Sequence, residues 1–517
     1  MDTSARTVQP FVDWYGIWAG YGGIDDETGL SRIYEAPEGV RLSVQPARKV
    51  GPFFRPERPW EKRSINHSAT MVLDNGTYKM WHHCVGEPSS DGAAEFICYA
   101  ESSDGHNWVR PDLGLYDYCG SRQNNILFPR DHLFLESVFI DPTAPAAERF
   151  KAVSATLMYL HNGVPVPNMN KRKLQELLRE TANLGDVGTP EEIMRREWVM
   201  EQHIRGAVSA DGLSWRILDK PLLGWHKDQS AYDSISVGAF DADTGEYVAY
   251  LRGIVDRRRS VRRTGGPKFG DWPKPRFVFM GDVEDGPTTT VYQPCYTRMP
   301  GSGMRVLFPS MYYQLDEELD IHLATSRDGH TWSRPERAPI ITRDRNDGGR
   351  YSCLYAFPNL MPFNDEEWCL PFVAYNQRHD YRGAKARPVH GSAFAHPDEG
   401  EYWWAVWKQN RLVALEAPVE GRVTMAEREL SGQELRLNFQ TERDGWVKVE
   451  LVSVPTTPPS DCQAFEGFGL AEADVLTGDH LSHPVTWRGS SDVSRLRGEK
   501  LSFRLTMSRA KVFAIEF

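Results

Sequence analysis

Apolar and polar residues alternate with a period of two along most of this chain, in short runs that predict β-strands. Three of these runs lead into the same phrase, Asp-Gly-x-x-Trp, at residues 104–108, 211–215 and 328–332. Asp-Gly favours a tight turn, because glycine accepts a positive φ and the aspartate side chain bonds to nearby backbone. The recurring phrase therefore indicates a β-unit that is repeated along the chain.

A fourth, weaker copy at residues 269–272 sets the length of the repeat. Asp211 and Asp271 are 60 residues apart, and Asp271 and Asp328 are 57 apart. A period near 60 suits four-stranded propeller blades better than solenoid repeats. Four such periods and a strand-rich segment at residues 351–416 predict a five-bladed β-propeller over residues 61–417.

The pattern changes at three places along the chain. Residues 1–60 are predicted to be a lead-in that packs on the propeller. Within blade 2, leucines at helical spacing and the cap sequence Thr189-Pro190-Glu191-Glu192 predict a helical hairpin at residues 168–203, with its second helix ending near Met200. Strictly alternating strands after Pro418 predict a C-terminal β-sandwich over residues 418–517. The fold class is therefore all-β.

Composition narrows the classes of partner. The 517 residues carry a formal charge of −11, which argues against nucleic acid or an anionic membrane as a partner. The seven cysteines include no Cys-x-x-Cys pair, so free thiols in a reducing compartment are expected. With no signal-peptide pattern and no apolar run of membrane-spanning length, the expectation is a cytoplasmic protein. Homo-oligomerisation is left open.

Propeller geometry predicts where a ligand would bind. The first strand of each blade lines the central channel, and the second strand returns to the mouth where the first began. Three carboxylates stand at the starts of predicted first strands: Glu61, Glu136 and Asp233. Aromatic or hydrogen-bonding groups lie near other strand starts and ends: His82, His161, Arg252, Tyr292, Tyr313, Tyr355, Arg378 and His379. Such a rim suits a sugar, because aromatic rings stack on it and polar groups bond its hydroxyls.

Two or three carboxylates around one cavity supply the acid and base groups that glycoside cleavage requires. The sequence therefore predicts a glycoside hydrolase acting on a small carbohydrate, with Glu136 and Asp233 as the principal pair and Glu61 as a third acid. The helical hairpin is expected to emerge at the same mouth, as a lid or a pocket wall. A purely structural role remains open for each carboxylate, since Glu61 could cap the first blade and the other two could bond to backbone.

Three other functions stay open at this point. A non-catalytic propeller would bind sugar without cleaving it. A glycoside phosphorylase would need one acid and a basic cradle for phosphate. A metal-dependent lyase or isomerase would use His82 or His83 with His161 and His379. No metal ligands or cofactor are assigned, although a divalent cation in the central channel remains an alternative.

Several phrases resemble the five-bladed β-propeller glycoside hydrolases, the group of invertase-, levanase- and arabinanase-like enzymes. More closely, the chain is similar to their glycosyl hydrolase family 32-like bacterial relatives with a C-terminal β-sandwich. The matching phrases, besides the Asp-Gly turns, lie at residues 58–61, 233–234, 240–241, 247–252, 435–438 and 445–450, and the resemblance covers about residues 40–517. It implies a carbohydrate substrate and catalytic carboxylates. The invertase motifs Trp-Met-Asn-Asp-Pro-Asn-Gly, Arg-Asp-Pro and Glu-Cys are absent. The correspondence of Glu61, Glu136 and Asp233 to the invertase catalytic acids therefore rests on the blade in which each residue lies and not on a shared motif.

Overall fold

The computed structural model of the chain describes residues 8–25, 27–166, 171–183, 189–224, 237–343, 351–379, 400–453 and 462–517. Strands dominate these residues, and the two α-helices both lie in the insertion predicted for blade 2. No helix in the described ranges has the length and apolarity needed to cross a bilayer.

The first sheet of the repeat follows five N-terminal strands. In chain order these elements are β1 Val8–Pro10, β2 Tyr21–Ile24, β3 Ser31–Tyr34, β4 Arg41–Val44, β5 Arg48–Phe54, β6 Ser64–Asp74, β7 Thr77–Val85, β8 Glu95–Ser102 and β9 Ile126–Pro129. Strands β6 to β9 form an antiparallel four-stranded sheet in sequential order, and β2 pairs with β3. An Asn75-Gly76 turn joins β6 to β7, with Gly76 at a φ of 80°.

The next two sheets contain the helical insertion. Their elements are β10 Ser137–Ile140, β11 Phe150–His161, β12 Val164–Pro165, α1 Lys171–Asn183, α2 Pro190–Glu197, β13 Trp198–Ser209, β14 Arg216–Ile217, β15 Val237–Asp241, β16 Glu246–Val255, β17 Arg258–Gly266 and β18 Arg276–Met280. The sheet orders are β10-β11-β13-β14, with β12 on β11, and β15-β16-β17-β18. Thr189 caps α2 as predicted, but this helix ends at Glu197 and not near Met200.

The remaining repeat strands form one long sheet and one short sheet. They are β19 Thr289–Gln293, β20 Tyr296–Arg298, β21 Arg305–Leu307, β22 Ser310–Tyr313, β23 Glu318–Ile321, β24 Ala324–Ser326, β25 Cys353–Ala356, β26 Met361–Pro362, β27 Glu367–Tyr375 and β28 Gly400–Lys408. An eight-stranded sheet runs β19-β22-β23-β25-β27-β28-β5 with β26 on β27, and β20-β21-β24 is separate. Pro294 and Pro309 lie where the two sheets divide, because proline cannot donate to a strand ladder.

Polar bonds join the inner strands of neighbouring sheets. Thr70 of β6 bonds to the Val138 carbonyl of β10, and Ser137 of β10 bonds to the Gly238 carbonyl of β15. The amide of Asn359 reaches the Met71 carbonyl of β6, and within the eight-stranded sheet the amide of Gln293 in β19 reaches the Ala356 carbonyl of β25. The sheets therefore follow one another in a propeller-like arrangement. In the described residues the hydrogen bonding gives four blade-like sheets instead of the five predicted blades. The reason is a single parallel pair between Leu319 and Cys353, which joins the last two predicted blades into one sheet.

The three Asp-Gly-x-x-Trp phrases adopt the predicted turn. In the first, Asp104 Oδ1 accepts the N–H groups of His106 and Asn107, at 2.8 and 2.7 Å, and Gly105 has a φ of 73°. The Trp108 indole N–H donates to the Gly105 carbonyl at 3.1 Å. The same glycine carbonyl accepts a second bond from the preceding sheet: Trp404 to Gly105, Trp81 to Gly212, and Tyr250 to Gly329. Each turn therefore also fastens two neighbouring sheets.

The C-terminal region is a single hydrogen-bonded sheet. Its own strands are β29 Val413–Thr424, β30 Arg428–Glu429, β31 Arg436–Ser453, β32 Gln463–Ala464, β33 Asp479–Pro484 and β34 Lys500–Glu516. Strands β1 and β4 add to it, on β34 and β29, so the predicted lead-in joins this sheet as well as the propeller. The long strands β31 and β34 shift register twice against each other. The two layers of the predicted sandwich stay a prediction.

Candidate functional site

Aromatic side chains gather near the end of the ring where the first strands begin. Tyr292 of β19, Tyr312 of β22 and Tyr355 of β25 surround the imidazole of His379, which follows β27. The ring centroids of Tyr292 and Tyr312 lie 4.3 and 4.9 Å from that of His379. The Tyr355 hydroxyl is hydrogen-bonded to His379 Nδ1 at 2.8 Å. We call these four residues the tyrosine cluster; three of them belong to the predicted site, and Tyr312 stands at the same predicted strand end as Tyr313.

Two arginines of the β16–β17 hairpin face the tyrosine cluster. The antiparallel register of these strands puts Arg252 and Arg259 on the same face. The Arg259 guanidinium carbon lies 4.4 Å from the ring centroid of Tyr292 and 5.8 Å from that of Tyr312. Burial, together with the positive charge of Arg259, lowers the pKa of Arg252 to about 10. Arg252 therefore remains cationic at neutral pH, so this wall of the mouth favours oxygen-rich or anionic ligands.

A buried amide lies beside the cluster, at the end of β27. Asn376 is completely buried, and neither its side-chain oxygen nor its nitrogen has a partner in the described part of the chain. The hydroxyl of Ser352, also fully buried, likewise has no hydrogen-bond partner among the described residues. Ser352 N–H donates to the Tyr375 carbonyl, which brings the two residues side by side. Unpaired buried polar groups cost about 1–3 kcal/mol each, so this pair indicates a place where a ligand or water binds.

Glu136 immediately precedes β10 and is 3% exposed. Its Oε2 atom accepts the Ala155 N–H at 2.9 Å, which fixes the carboxylate between β10 and β11. The neighbouring residue Ser137 contacts β15, so Glu136 lies close to the inner strand of the next sheet. The predicted partner Asp233 precedes β15 by four residues and lies outside the described residues.

Two predicted rim residues do not join the tyrosine cluster. Tyr313 points to the opposite face from Tyr312, because successive strand residues alternate. Its hydroxyl is bonded to His322 Nε2 at 2.9 Å, and Arg343 lies 5.3 Å from its ring centroid. Arg378 is exposed, whereas the next residue, His379, turns into the cluster. The sequence predicts Tyr313 as a site residue, whereas Tyr312, one residue earlier, is the one whose ring lies in the cluster.

Glu61 is enclosed by polar partners of its own. It lies in the segment that crosses from β5 to β6, and it is fully buried. Its Oε1 atom is 3.0 Å from Arg110 Nε and 3.4 Å from His82 Nε2. Burial alone would raise the pKa of Glu61, but the His82 hydrogen bond and the Arg110 charge lower it to about 2. These contacts fit a fixed structural carboxylate, which is the alternative that the sequence left open for Glu61, and His82 is bonded to it.

His161 lies far out on an arm that carries the helices. Strand β10 starts opposite Val153, but β11 continues to His161, paired there with β13. This overhang is about 26 Å long at 3.3 Å per residue. His161 Nε2 is 3.3 Å from Glu197 Oε2, and its ring lies 4.7 Å from that of Trp198. The arm has a small apolar core of its own, so His161 serves the arm and does not reach the tyrosine cluster.

The histidines proposed for a metal-dependent lyase are not together. His82 is in the core of the first sheet, His161 is on the arm, and His379 is in the tyrosine cluster. Within the described ranges, one group of His, Cys, Asp or Glu side chains is compact enough to hold a metal ion. It consists of His82, Cys84 and Cys98, all buried.

No family model matches this chain, and no curated protein matches its sequence. Solved structures do match. One is a glycoside hydrolase family 43 arabinoxylan arabinofuranohydrolase from Bacillus subtilis in complex with cellotetraose, at 10% identity over 89% of this chain and 96% of that chain, with a TM-score of 0.36. Another is the sucrose-6-phosphate hydrolase from Lactobacillus gasseri, at 11% identity over 90% and 93%, with a TM-score of 0.41.

A third match is an N-acetylgalactosamine deacetylase from F. plautii in complex with blood group B trisaccharide, at 14% identity over 72% of this chain and 97% of that chain, with a TM-score of 0.40.

Proposed function

We propose that this protein is a glycoside hydrolase that cleaves a small glycoside or oligosaccharide at the mouth of the propeller. The observation that carries the proposal is the tyrosine cluster, with Arg252 and Arg259 on one side and the buried amide of Asn376 on another. Aromatic rings offer flat surfaces for the apolar faces of sugars, and a few convergent polar groups orient the hydroxyls. We take the eight-stranded sheet as two blades, so that five blades surround the cavity.

Glu136 and Asp233 are the carboxyl pair in this proposal. One carboxylic acid protonates the glycosidic oxygen as the bond to the anomeric carbon breaks. The other carboxylate either activates a water molecule or attacks the anomeric carbon itself. The two mechanisms need carboxyl separations of roughly 6.5–9.5 Å and roughly 5–5.5 Å respectively. The anomeric configuration of the first product, followed by NMR, distinguishes them.

The test is hydrolysis of a panel of aryl glycosides by the wild type and by Glu136→Gln and Asp233→Asn. Each amide should lower kcat by at least about 1,000-fold while the melting temperature stays within a few degrees. Asp365→Asn, at an exposed turn of the same propeller, is the matched control and should keep full activity. Full activity in both site variants would refute the proposal. Tight sugar binding by a wild type that cleaves nothing would refute it in favour of a binding protein.

A glycoside phosphorylase is the second candidate, and the arginine pair favours it. Phosphorolysis needs a single acid, since phosphate itself is the nucleophile, and it needs cationic groups to hold that phosphate. Arg252 and Arg259 lie on one face beside the cluster, and arginine binds phosphate oxygens through a fork of N–H donors.

Phosphate dependence separates these two reactions. A hydrolase should release free sugar at the same rate with or without inorganic phosphate. A phosphorylase should need phosphate and should release a sugar 1-phosphate, which mass spectrometry detects. Arg259→Gln should then raise the KM for phosphate by about tenfold or more, the usual loss for a charge-assisted bond. An unchanged phosphate KM in this variant would exclude the arginine cradle.

A further inference from the structure

Three potential metal ligands meet inside the first sheet. His82 on β7 pairs directly with Cys98 on β8, and Cys84 lies two residues beyond His82 on the same face. The two sulfur atoms are 3.2 Å apart, and one ligand atom from each residue lies within 4.8 Å of the other two. None of the three side chains reaches solvent, since their exposures are 0–1%.

The hydrogen bonding of His82 leaves one ring nitrogen available. Its Nε2 atom faces Glu61 Oε1 at 3.4 Å, whereas its Nδ1 atom is buried and has no partner among the residues that the structure describes. A neutral imidazole that donates from Nε2 to a carboxylate has its lone pair on Nδ1. This is the arrangement that orients metal-binding histidines, in which a carboxylate holds the other nitrogen and raises the basicity of the ring.

We propose that His82, Cys84 and Cys98 bind a structural Zn²⁺ ion. Zinc in proteins takes Cys sulfur and His nitrogen ligands, mostly in tetrahedral sites. Two thiolates neutralise its charge, and the nearby Glu61 carboxylate is neutralised by Arg110, so the enclosed group is balanced. The Phe96 carbonyl, which accepts from the Cys84 thiol at 3.7 Å, is a polar atom close to the cluster.

The surroundings assign this ion a structural role. The Phe54 ring lies 5.0 Å from the His82 ring, and the Tyr402 ring lies 6.4 Å from it, so the cluster is covered by β5 and β28. A substrate has no route to such an ion. By fixing His82, the ion would also fix Glu61 and the segment that crosses from the last sheet to the first.

The first measurement is the zinc content of the full-length protein, expressed with zinc in the medium and dialysed into metal-free buffer. About one zinc per chain is expected in the wild type. Cys84→Ser and Cys98→Ser should each lose most of it. Cys369→Ser is the matched control, because Cys369 is equally buried but outside the cluster, and it should retain the metal.

A second measurement on the wild type avoids the risk that the serine variants do not fold. Exchange of the ion for Co²⁺ should produce thiolate-to-cobalt charge-transfer absorption, and removal of the metal by a chelator should lower the melting temperature. Zinc absent from the wild type, another metal in its place, zinc retained by both cluster variants, or a disulfide between Cys84 and Cys98 in the dialysed protein would each overturn the proposal.

Discussion

Replacement of Gly212 by alanine should destabilise the protein more than the same change at Gly76. Both glycines have a φ of 80°, so alanine pays the same backbone penalty at each, about 1–2 kcal/mol. A Cβ atom at Gly76 would meet nothing within 4 Å, whereas at Gly212 it would lie 2.5 Å from Cζ2 of Trp81. Trp81 is completely buried, and its indole N–H bonds to the Gly212 carbonyl at 2.6 Å.

The added cost at Gly212 follows from this contact. Overpacking a tight interior site costs about 1–3 kcal/mol, and a disturbed buried hydrogen bond adds about 1 kcal/mol. The total for Gly212→Ala is therefore about 3–6 kcal/mol, against about 1–2 kcal/mol for Gly76→Ala. Urea unfolding followed by far-UV circular dichroism measures both, and Trp81→Phe in the Gly212→Ala background should recover part of the loss. Equal destabilisation at the two glycines would refute the reasoning.

Three further outcomes follow from the site. Tyr312→Phe should raise the KM for substrate several-fold, because a hydroxyl bond is worth about 1 kcal/mol, whereas Tyr313→Phe should leave KM unchanged; equal effects would contradict the assigned faces. Asn376→Leu should weaken sugar binding at least about tenfold yet leave the free protein equally or more stable, since it removes two buried polar atoms that have no partner in the described ranges; a large loss of stability would show that the amide is satisfied. The pKa of Glu61 is about 2 in the folded protein, below its ordinary value of 4.5. The contribution of the ionised carboxylate to the stability of the fold is therefore complete above pH 5 and is lost as the pH falls towards 2. Wild type should therefore exceed Glu61→Gln in stability by up to about 3 kcal/mol at pH 7, in unfolding measurements, and this margin should shrink in acid; a margin independent of pH would contradict the ion pair.

Features with local causes could be predicted from the sequence. The Asp-Gly turns depend on bonds within five residues, and helix α2 begins where its capping box predicts. Features set by distant partners could not. Strands β1 and β4 pair with β34 and β29, hundreds of residues away, and no local pattern reveals that pairing.

The site was predictable only to the accuracy of a strand register. Tyr312 and Tyr313 are equally plausible by composition, and a shift of one residue decides which face each takes. Glu61 precedes a first strand as the other carboxylates do. Its partner Arg110 is 49 residues away in the chain, so the ion pair that fixes Glu61 was hidden. The position of His161 depends on how far β11 extends beyond its pairing with β10. That length is defined only by the pairing of β11 with β13, which the sequence does not show.

The pairing of β5 with β28 has a consequence for how the chain is made. Val50 and Trp404 are direct partners across this pair, although about seven-tenths of the chain separates them. During synthesis, β5 leaves the ribosome early and must wait without its neighbour until β28 has followed. Contacts between such distant segments form slowly, because a very long loop must close first. The newborn chain is therefore exposed to mispairing at this strand until its last blade emerges, and that strand is where a chaperone would be of most use.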